Sequence, residues 1–271
     1  MKASIVPGLM MAVALMAVPS AAATLFTVSA NGGSLCAGGS GQSTSSAPLQ
    51  VADTWGCVSG ASSSEAVAAP EGIGIGSSTY HYCCGSASES NALAQFATEF
   101  TVKGPAGPAI AISMNFLLEG AAIATVDASW GLTIDTGIFG TGYIDSSGRN
   151  EGLLTGFVAV DGGIAIGGAF TTPSILLAPN TTQPFRLTLS GGTGANGSGN
   201  ANLDFVDTMS LPTTGPVFNL PSGYTVDIPD LYVFDNRFLP PGTGGAVPEP
   251  SSLAMMGGGL ALLAIARRRG R

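Results

Sequence analysis

The chain has 271 residues, of which 10% are charged, 45% are hydrophobic and 40 are Gly. That is enough polypeptide for one large or two small domains with a sizeable core. Nine Lys and Arg stand against 17 Asp and Glu, but Lys2, Arg267, Arg268, Arg269 and Arg271 lie at the two ends; without them and Glu249 the middle keeps four basic and sixteen acidic residues, a net charge of −12. So acidic a body repels phosphate backbones, whose binding needs clusters of Lys and Arg, and nucleic acid is excluded as a partner.

Residues 1–23 read as a secretory signal peptide. Lys2 supplies the charged start, Ile5 to Val18 the apolar run, and Ala21-Ala22-Ala23 the small-residue site for signal peptidase, with cleavage after Ala23. The run is shorter than the ~20 residues that span a bilayer. The mature chain then begins at Thr24.

From Thr24 to about Ser90 the chain is rich in Ser, Gly and Ala, as in Gly38 to Ser46 and Ala61 to Ser64. These tracts predict long surface loops between few strands, the strands being Leu25 to Val28, Leu49 to Val58 and Thr79 to Cys83. All four cysteines, Cys36, Cys57, Cys83 and Cys84, fall here. An even count in an exported chain predicts two disulfides stapling this part, with Cys36 and Cys57 each joined to one of Cys83 and Cys84 in preference to a strained vicinal bridge. Adjacent cysteines beside His81 do not have the usual spacing of zinc ligands, and no metal or other cofactor is expected.

Beyond Asn91 the apolar residues recur with a period of two, first at Phe96, Phe100 and Val102, then at Ile110, Ile112, Met114, Phe116 and Leu118. Further strands are predicted over Ala122 to Trp130, Leu132 to Ile134, Ile138 to Ile144, Leu153 to Val160, Phe185 to Leu189, Leu203 to Leu211, Tyr224 to Ile228 and Leu231 to Phe234. Turns are predicted at Asp145-Ser146-Ser147-Gly148, Asp161-Gly162-Gly163 and Pro221-Ser222-Gly223. Short strands between such turns, with no recurring helix, predict an all-β exported body over 24–239, an antiparallel β-sandwich of jelly-roll type. A β-helix would need a fixed repeat, and none is present.

Chemistry-bearing patterns are sparse. His81 is the only histidine, sits between aromatic neighbours on a predicted strand, and reads as solvated or on an edge; no Gly-x-Ser-x-Gly elbow accompanies it. Asp127, Asp135 and Glu119 around Trp130 offer carboxylates for glycoside hydrolysis and a ring for sugar stacking, but nothing singles out a raised acid. Gly191 to Asn200 reads as a flexible hairpin loop, with calcium at Asp204 or Asp207 beside Asn200 and Asn202 as the sharper alternative. Gly38 to Thr44 lacks the Lys of a phosphate loop.

After a Pro/Gly linker over 240–246 come Val247, Pro248, Glu249 and Pro250, an uncharged apolar helix predicted over 253–266, and the basic tail Arg267, Arg268, Arg269 and Arg271. The arginines hold the C-terminus on the cytoplasmic side, and Gly257, Gly258 and Gly259 weaken the helix, which suits a temporary tether. Pro-Glu-Pro, a short apolar helix and an Arg-rich end, in that order, resemble the PEP-CTERM sorting signal of Gram-negative bacteria. The resemblance implies that residues 247–271 are read and cut at the inner membrane by exosortase, and that the body passes to the cell surface or the exopolysaccharide matrix. Phe218 to Asp227 and Val233 to Phe238 also resemble the closing strands of many bodies that carry this tag. The expected function is that of a non-catalytic structural or adhesive surface protein; the alternative is a carbohydrate-binding module or weak glycoside hydrolase on the same scaffold.

Overall fold

The computed structural model describes residues 25–34, 37–45, 47–57, 60–82, 87–154 and 163–240. The predicted signal peptide and its cleavage residues Ala21 and Ala23 lie outside them. So do the sorting residues Val247, Pro248, Glu249 and Pro250, the apolar segment 253–266, and Arg267, Arg268, Arg269 and Arg271. No helix among the described residues is long and apolar enough to cross a membrane.

The described residues form strands β1 (Leu25–Ser34), β2 (Ala37–Ser45), β3 (Leu49–Cys57), β4 (Gly60–Ala69), β5 (Gly72–His81), β6 (Ala87–Lys103), β7 (Ile110–Ala124), β8 (Ala128–Asp135), β9 (Thr141–Asp145) and β10 (Asn150–Gly152). They continue with β11 (Ile164–Thr171), β12 (Ile175–Leu177), β13 (Thr182–Asn196), β14 (Asn200–Ser210), β15 (Phe218–Asn219), β16 (Thr225–Asp227), β17 (Val233–Phe234) and β18 (Arg237–Phe238). Single 3-10 turns occupy Gly137–Phe139 and Pro229–Leu231. The all-β, antiparallel expectation holds. One sheet, here sheet A, has the order β10-β9-β8-β13-β6-β1-β2 with β16 added to β6. Sheet B has the order β11-β7-β14-β5-β4-β3, with β12 and β15 added to β7.

Alternation along β6 and β7 explains why the two sheets face each other. Ala92, Ala94, Phe96, Phe100 and Val102 of β6 are buried, as are Ile112, Met114, Phe116 and Leu118 of β7. Successive side chains of a strand point to opposite faces, so one face of each sheet is apolar and must be covered. At one end of the core the rings of Phe96, Phe100, Phe139, Phe185 and Phe218 gather, with the Phe100 and Phe218 centroids 5.3 Å apart. Such pairs contribute about 0.5–1.5 kcal/mol each beyond their buried area.

Toward the opposite end the interior changes from rings to hydroxyls. Ser62, Ser64, Ser77, Thr79, His81, Ser88, Ser90 and Thr193 are all buried there. Ser77 Oγ donates to the Ser90 carbonyl at 3.0 Å, and Ser90 Oγ to the Ser63 carbonyl at 2.6 Å, which ties sheet B to sheet A. The hydroxyls of Ser62, Ser64, Thr79 and Ser88 have no hydrogen-bond partner among the described residues. Each such group costs about 1–3 kcal/mol, so this end of the core is the weaker one.

Several expectations are corrected. Gly38 to Ser45 and Ala61 to Ser64, predicted as loops, lie in β2 and β4, because backbone pairing to β1 and β5 does not need apolar side chains. The predicted strand Ala122 to Trp130 is broken: β7 ends at Ala124 and β8 starts at Ala128, with Asp127 in the left-handed region at φ 66. Part of the predicted strands Ile138 to Ile144 and Leu231 to Phe234 is 3-10 turn. Gly191 to Asn196 is strand rather than flexible loop, leaving a tight connection at Gly197 to Gly199. Residues 155–162 lie outside the described residues, which takes most of the strand predicted from Leu153 and of the turn at Asp161 with them.

Candidate functional site

The outward face of sheet A carries a groove of about 720 Å³. Register places its residues in rows across β6, β13, β8 and β9. Leu93, Ser190, Thr133 and Tyr143 form one row, and Asn91, Gly192, Gly131 and Asp145 the next; Glu89, Gly194 and Ser129 form a third. The floor is low because three of the central positions are glycine. A Cβ on Gly192 would meet Asn91 Oδ1 at 2.2 Å, and one on Gly131 would meet the Tyr143 hydroxyl at 3.2 Å. The Asn91 amide and the Tyr143 ring therefore lean inward over bare backbone, from opposite walls.

Tyr143 and Asp145 form a fixed wall. Asp145 ends β9, and its carboxylate accepts from Tyr143 OH at 3.0 Å, from Ser147 N at 2.9 Å and from Ser147 Oγ and Arg149 N. Burial alone would push this carboxyl up, but the Ser147 and Tyr143 hydroxyls and the two backbone N–H groups outweigh it and hold its pKa below the ordinary value. Partial burial and the bond to Asp145 push the Tyr143 phenol up. The Arg149 guanidinium stands 5.2 Å from the Tyr143 ring centre and is held by Glu151 through Nε and Nη2. Among the described residues, the charged side chains lining the groove are the acids Glu89 and Asp145, with no Lys or Arg.

A second, smaller hollow of about 310 Å³ lies on the outward face of sheet B. There Glu65 of β4 and Asp204 of β14 flank Gly76 of β5, and Gln50 Nε2 donates to Glu65 at 2.6 Å.

The residues singled out from the sequence are placed differently. Trp130 is only 2% exposed and points into the core, so it offers no surface for stacking a sugar. His81, expected as solvated or on an edge, is 1% exposed on β5, an interior strand. Its Nδ1 lies 2.5 Å from the Gly197 carbonyl, and because a carbonyl only accepts, that nitrogen carries the proton.

Asp127, Asp135 and Glu119 are not brought together. Asp127 and Asp135 stand at opposite ends of β8, about 26 Å apart at the rise of a strand. Glu119 lies on the outward face of sheet B and Asp135 on that of sheet A, where Arg186 binds it. Asn200, Asn202 and Asp204 alternate along the outer face of β14, while the Asp207 side chain lies outside the described residues. No group of three or more His, Cys, Asp and Glu side chains comes together among the described residues. Cys36, Cys83 and Cys84 lie outside them, and of Cys57 only the backbone is described.

Sequence reasoning missed the groove, because Gly192 and Gly194 read as loop and Asn91, Tyr143 and Asp145 are adjacent only through the pairing of four strands. The signal that could have found it is the alternation of Ser190, Gly192 and Gly194, small outward residues on an otherwise apolar-inward strand.

No curated protein matches the chain, and no solved structure matches it. Residues 246–269, however, match the family described as the PEP-CTERM protein-sorting motif, so the chain carries at its C-terminal end the signal by which exosortase substrates are sorted to the outside of the cell.

Proposed function

We propose that this is a cell-surface or extracellular-matrix protein of a Gram-negative bacterium, exported through a signal peptide cut by signal peptidase after Ala23. It is tethered briefly in the inner membrane by residues 253–266 and processed by exosortase near Pro248-Glu249-Pro250. The observation that carries this reading is the sorting motif at residues 246–269. Pro248 and Pro250 are residue types that disfavour regular structure, which suits a peptide that an enzyme has to read, and a Pro/Gly composition over 240–246 suits a spacer between body and membrane.

The body has a structural or adhesive role without catalysis. That part is supported by the separation of Asp127, Asp135 and Glu119, and by the burial of His81 against Gly197. We read the two facing sheets as a jelly-roll type of sandwich, since the chain passes repeatedly from one sheet to the other, after β2, β5, β6, β7, β10, β12, β13 and β15. Cys36 and Cys57 are each joined in this reading to one of Cys83 and Cys84 by a disulfide. The sorting part is tested by replacing Pro248, Glu249 and Pro250 together with alanine in the producing cell. The variant is expected to stay in the membrane fraction; unchanged delivery to the surface contradicts the reading.

A further inference from the structure

We propose that the outer groove of sheet A, between Asn91 and Tyr143, binds a neutral polysaccharide chain. The proposal deepens the surface and matrix role proposed above by naming a ligand class and a site for it.

The shape of the groove comes first. Glycine within a strand weakens it, and where there is no bulge it marks a close approach to the backbone. β13 pairs with β6 and β8 without a register shift, so bulging does not account for Gly192 and Gly194. Asn91 occupies the space over Gly192, but a Cβ on Gly194 would meet nothing nearer than Ser129 Oγ at 3.6 Å. Space above the backbone is therefore left open over Gly194, in the row between Glu89 and Ser129. The groove runs across strands about 4.8 Å apart, and so offers polar groups at a regular interval to an extended ligand.

Chemistry selects the class of ligand. The side chains of Asn91, Ser129, Thr133 and Ser190 make no hydrogen bond to any described residue, so their donors and acceptors are available to a ligand. An amide and hydroxyls both donate and accept, which is what a sugar hydroxyl requires of its partner. Among the described lining residues the charges are all carboxylates, so phosphate-bearing or uronic polymers are repelled and an uncharged polyol is not. A protein partner needs an apolar centre to the contact; among the described lining residues Leu93 and the Tyr143 ring face the hollow with large apolar surface, and Tyr143 is already held by Asp145 and Arg149. A small molecule would favour an enclosed and mainly apolar pocket, unlike this open polar trough.

The test uses the mature body in affinity electrophoresis through gels containing hydroxyethyl cellulose, laminarin, dextran or galactomannan, with alginate as the anionic control. Retardation is expected with at least one neutral polymer and not with alginate. Ser129→Trp, which fills the trough, and Asn91→Ala, which removes its amide, should each weaken retention at least tenfold, whereas Thr54→Trp on the outer face of sheet B should not. Thermal melts identify any variant whose loss reflects misfolding, and Asn91→Ala, which only shortens an exposed side chain, then decides. No retardation by any neutral polymer, retardation by alginate alone, or full retention in a folded Ser129→Trp or Asn91→Ala variant overturns the proposal. The position of C-terminal cleavage is read separately, so failure of the groove and failure of the sorting reading are told apart.

Discussion

The side-chain amide of Asn236 pairs with the backbone of Phe218 at both of its ends: Nδ2 donates to the Phe218 carbonyl at 2.7 Å, and Oδ1 accepts from the Phe218 N–H at 2.8 Å. Asn236 sits in the turn between β17 and β18 with φ 61, next to Asp235 with φ 47, as the tightest antiparallel hairpins require. Its side chain does for β15 what a neighbouring strand would do. That strand carries the Phe218 ring, which stacks on Phe100 and lies 5.9 Å from Phe185. Asn236→Ala is expected to cost about 1–3 kcal/mol, the usual penalty when buried partners are left unpaired. Urea unfolding measures it, and a variant as stable as the parent would show the clip to be incidental.

Trp130 separates a core role from a ligand role. Trp130→Ala should destabilise the body by about 3–5 kcal/mol, as removal of a large buried ring does. The expected readout is a large fall in melting temperature. A full-stability variant that lost glycan binding would instead place the indole at a binding surface.

Asp227 should make the body sensitive to acid. Burial pushes its carboxyl up, but the Asp235 N–H at 2.7 Å and Lys103 Nζ at 3.0 Å prevail, and its pKa is held below the ordinary value. The folded pKa is thus lower than the unfolded one. The stabilisation is fully present above the unfolded value of about 3.9 and is lost as pH falls through the folded value. Asp227→Asn is expected to lower stability at pH 7 by about 1 kcal/mol, since solvent screens the Lys103 pair. The variant and the parent should converge in strong acid; a constant gap from pH 7 down to pH 2 would rule out titration of this group as the cause.

The described residues nearest the cysteines in sequence lie together at one end of the sheet stack. Ser34, two residues before Cys36, pairs with Ser88, while Cys57 pairs with Gly60 and Gly60 with His81. A Cβ on Gly60 would lie 3.0 Å from Ser88 Oγ of the facing sheet. Cys83 and Cys84 follow His81 by only two and three residues, within reach of both groups at ~3.3–3.6 Å per residue. Two disulfides and no free thiol are expected from non-reducing peptide mapping, and reduction should lower stability by about 2–5 kcal/mol. Free thiols at more than one position contradict the pairing.

Legibility followed side-chain contrast. β6 and β7 were readable because Phe96, Phe100, Met114 and Phe116 alternate with polar neighbours. β4 was not, because its inward residues Ser62, Ser64, Ala66 and Ala68 differ little from its outward Ala61, Ser63 and Val67. There the strand is dictated by pairing with β5, a long-range relation that a local window does not hold. The break at Thr125 to Asp127 had no Gly or Pro to announce it, since Asp127 takes the left-handed conformation itself. Asp235-Asn236 was readable as a turn, but the reach of Asn236 to Phe218 depends on a contact eighteen residues away. The sorting motif was legible because it is a linear peptide meant to be read as one, and the family match at residues 246–269 falls on it.

The central claim is that the chain is cut at both ends on its way out of the cell, and intact-mass spectrometry of the protein recovered from the surface or matrix fraction tests it most directly. The account predicts a chain that starts at Thr24 and ends close to Pro248-Glu249-Pro250, with neither Lys2 nor Arg267 to Arg271 present. Surface protein that retains the apolar segment and the arginine tail would contradict it.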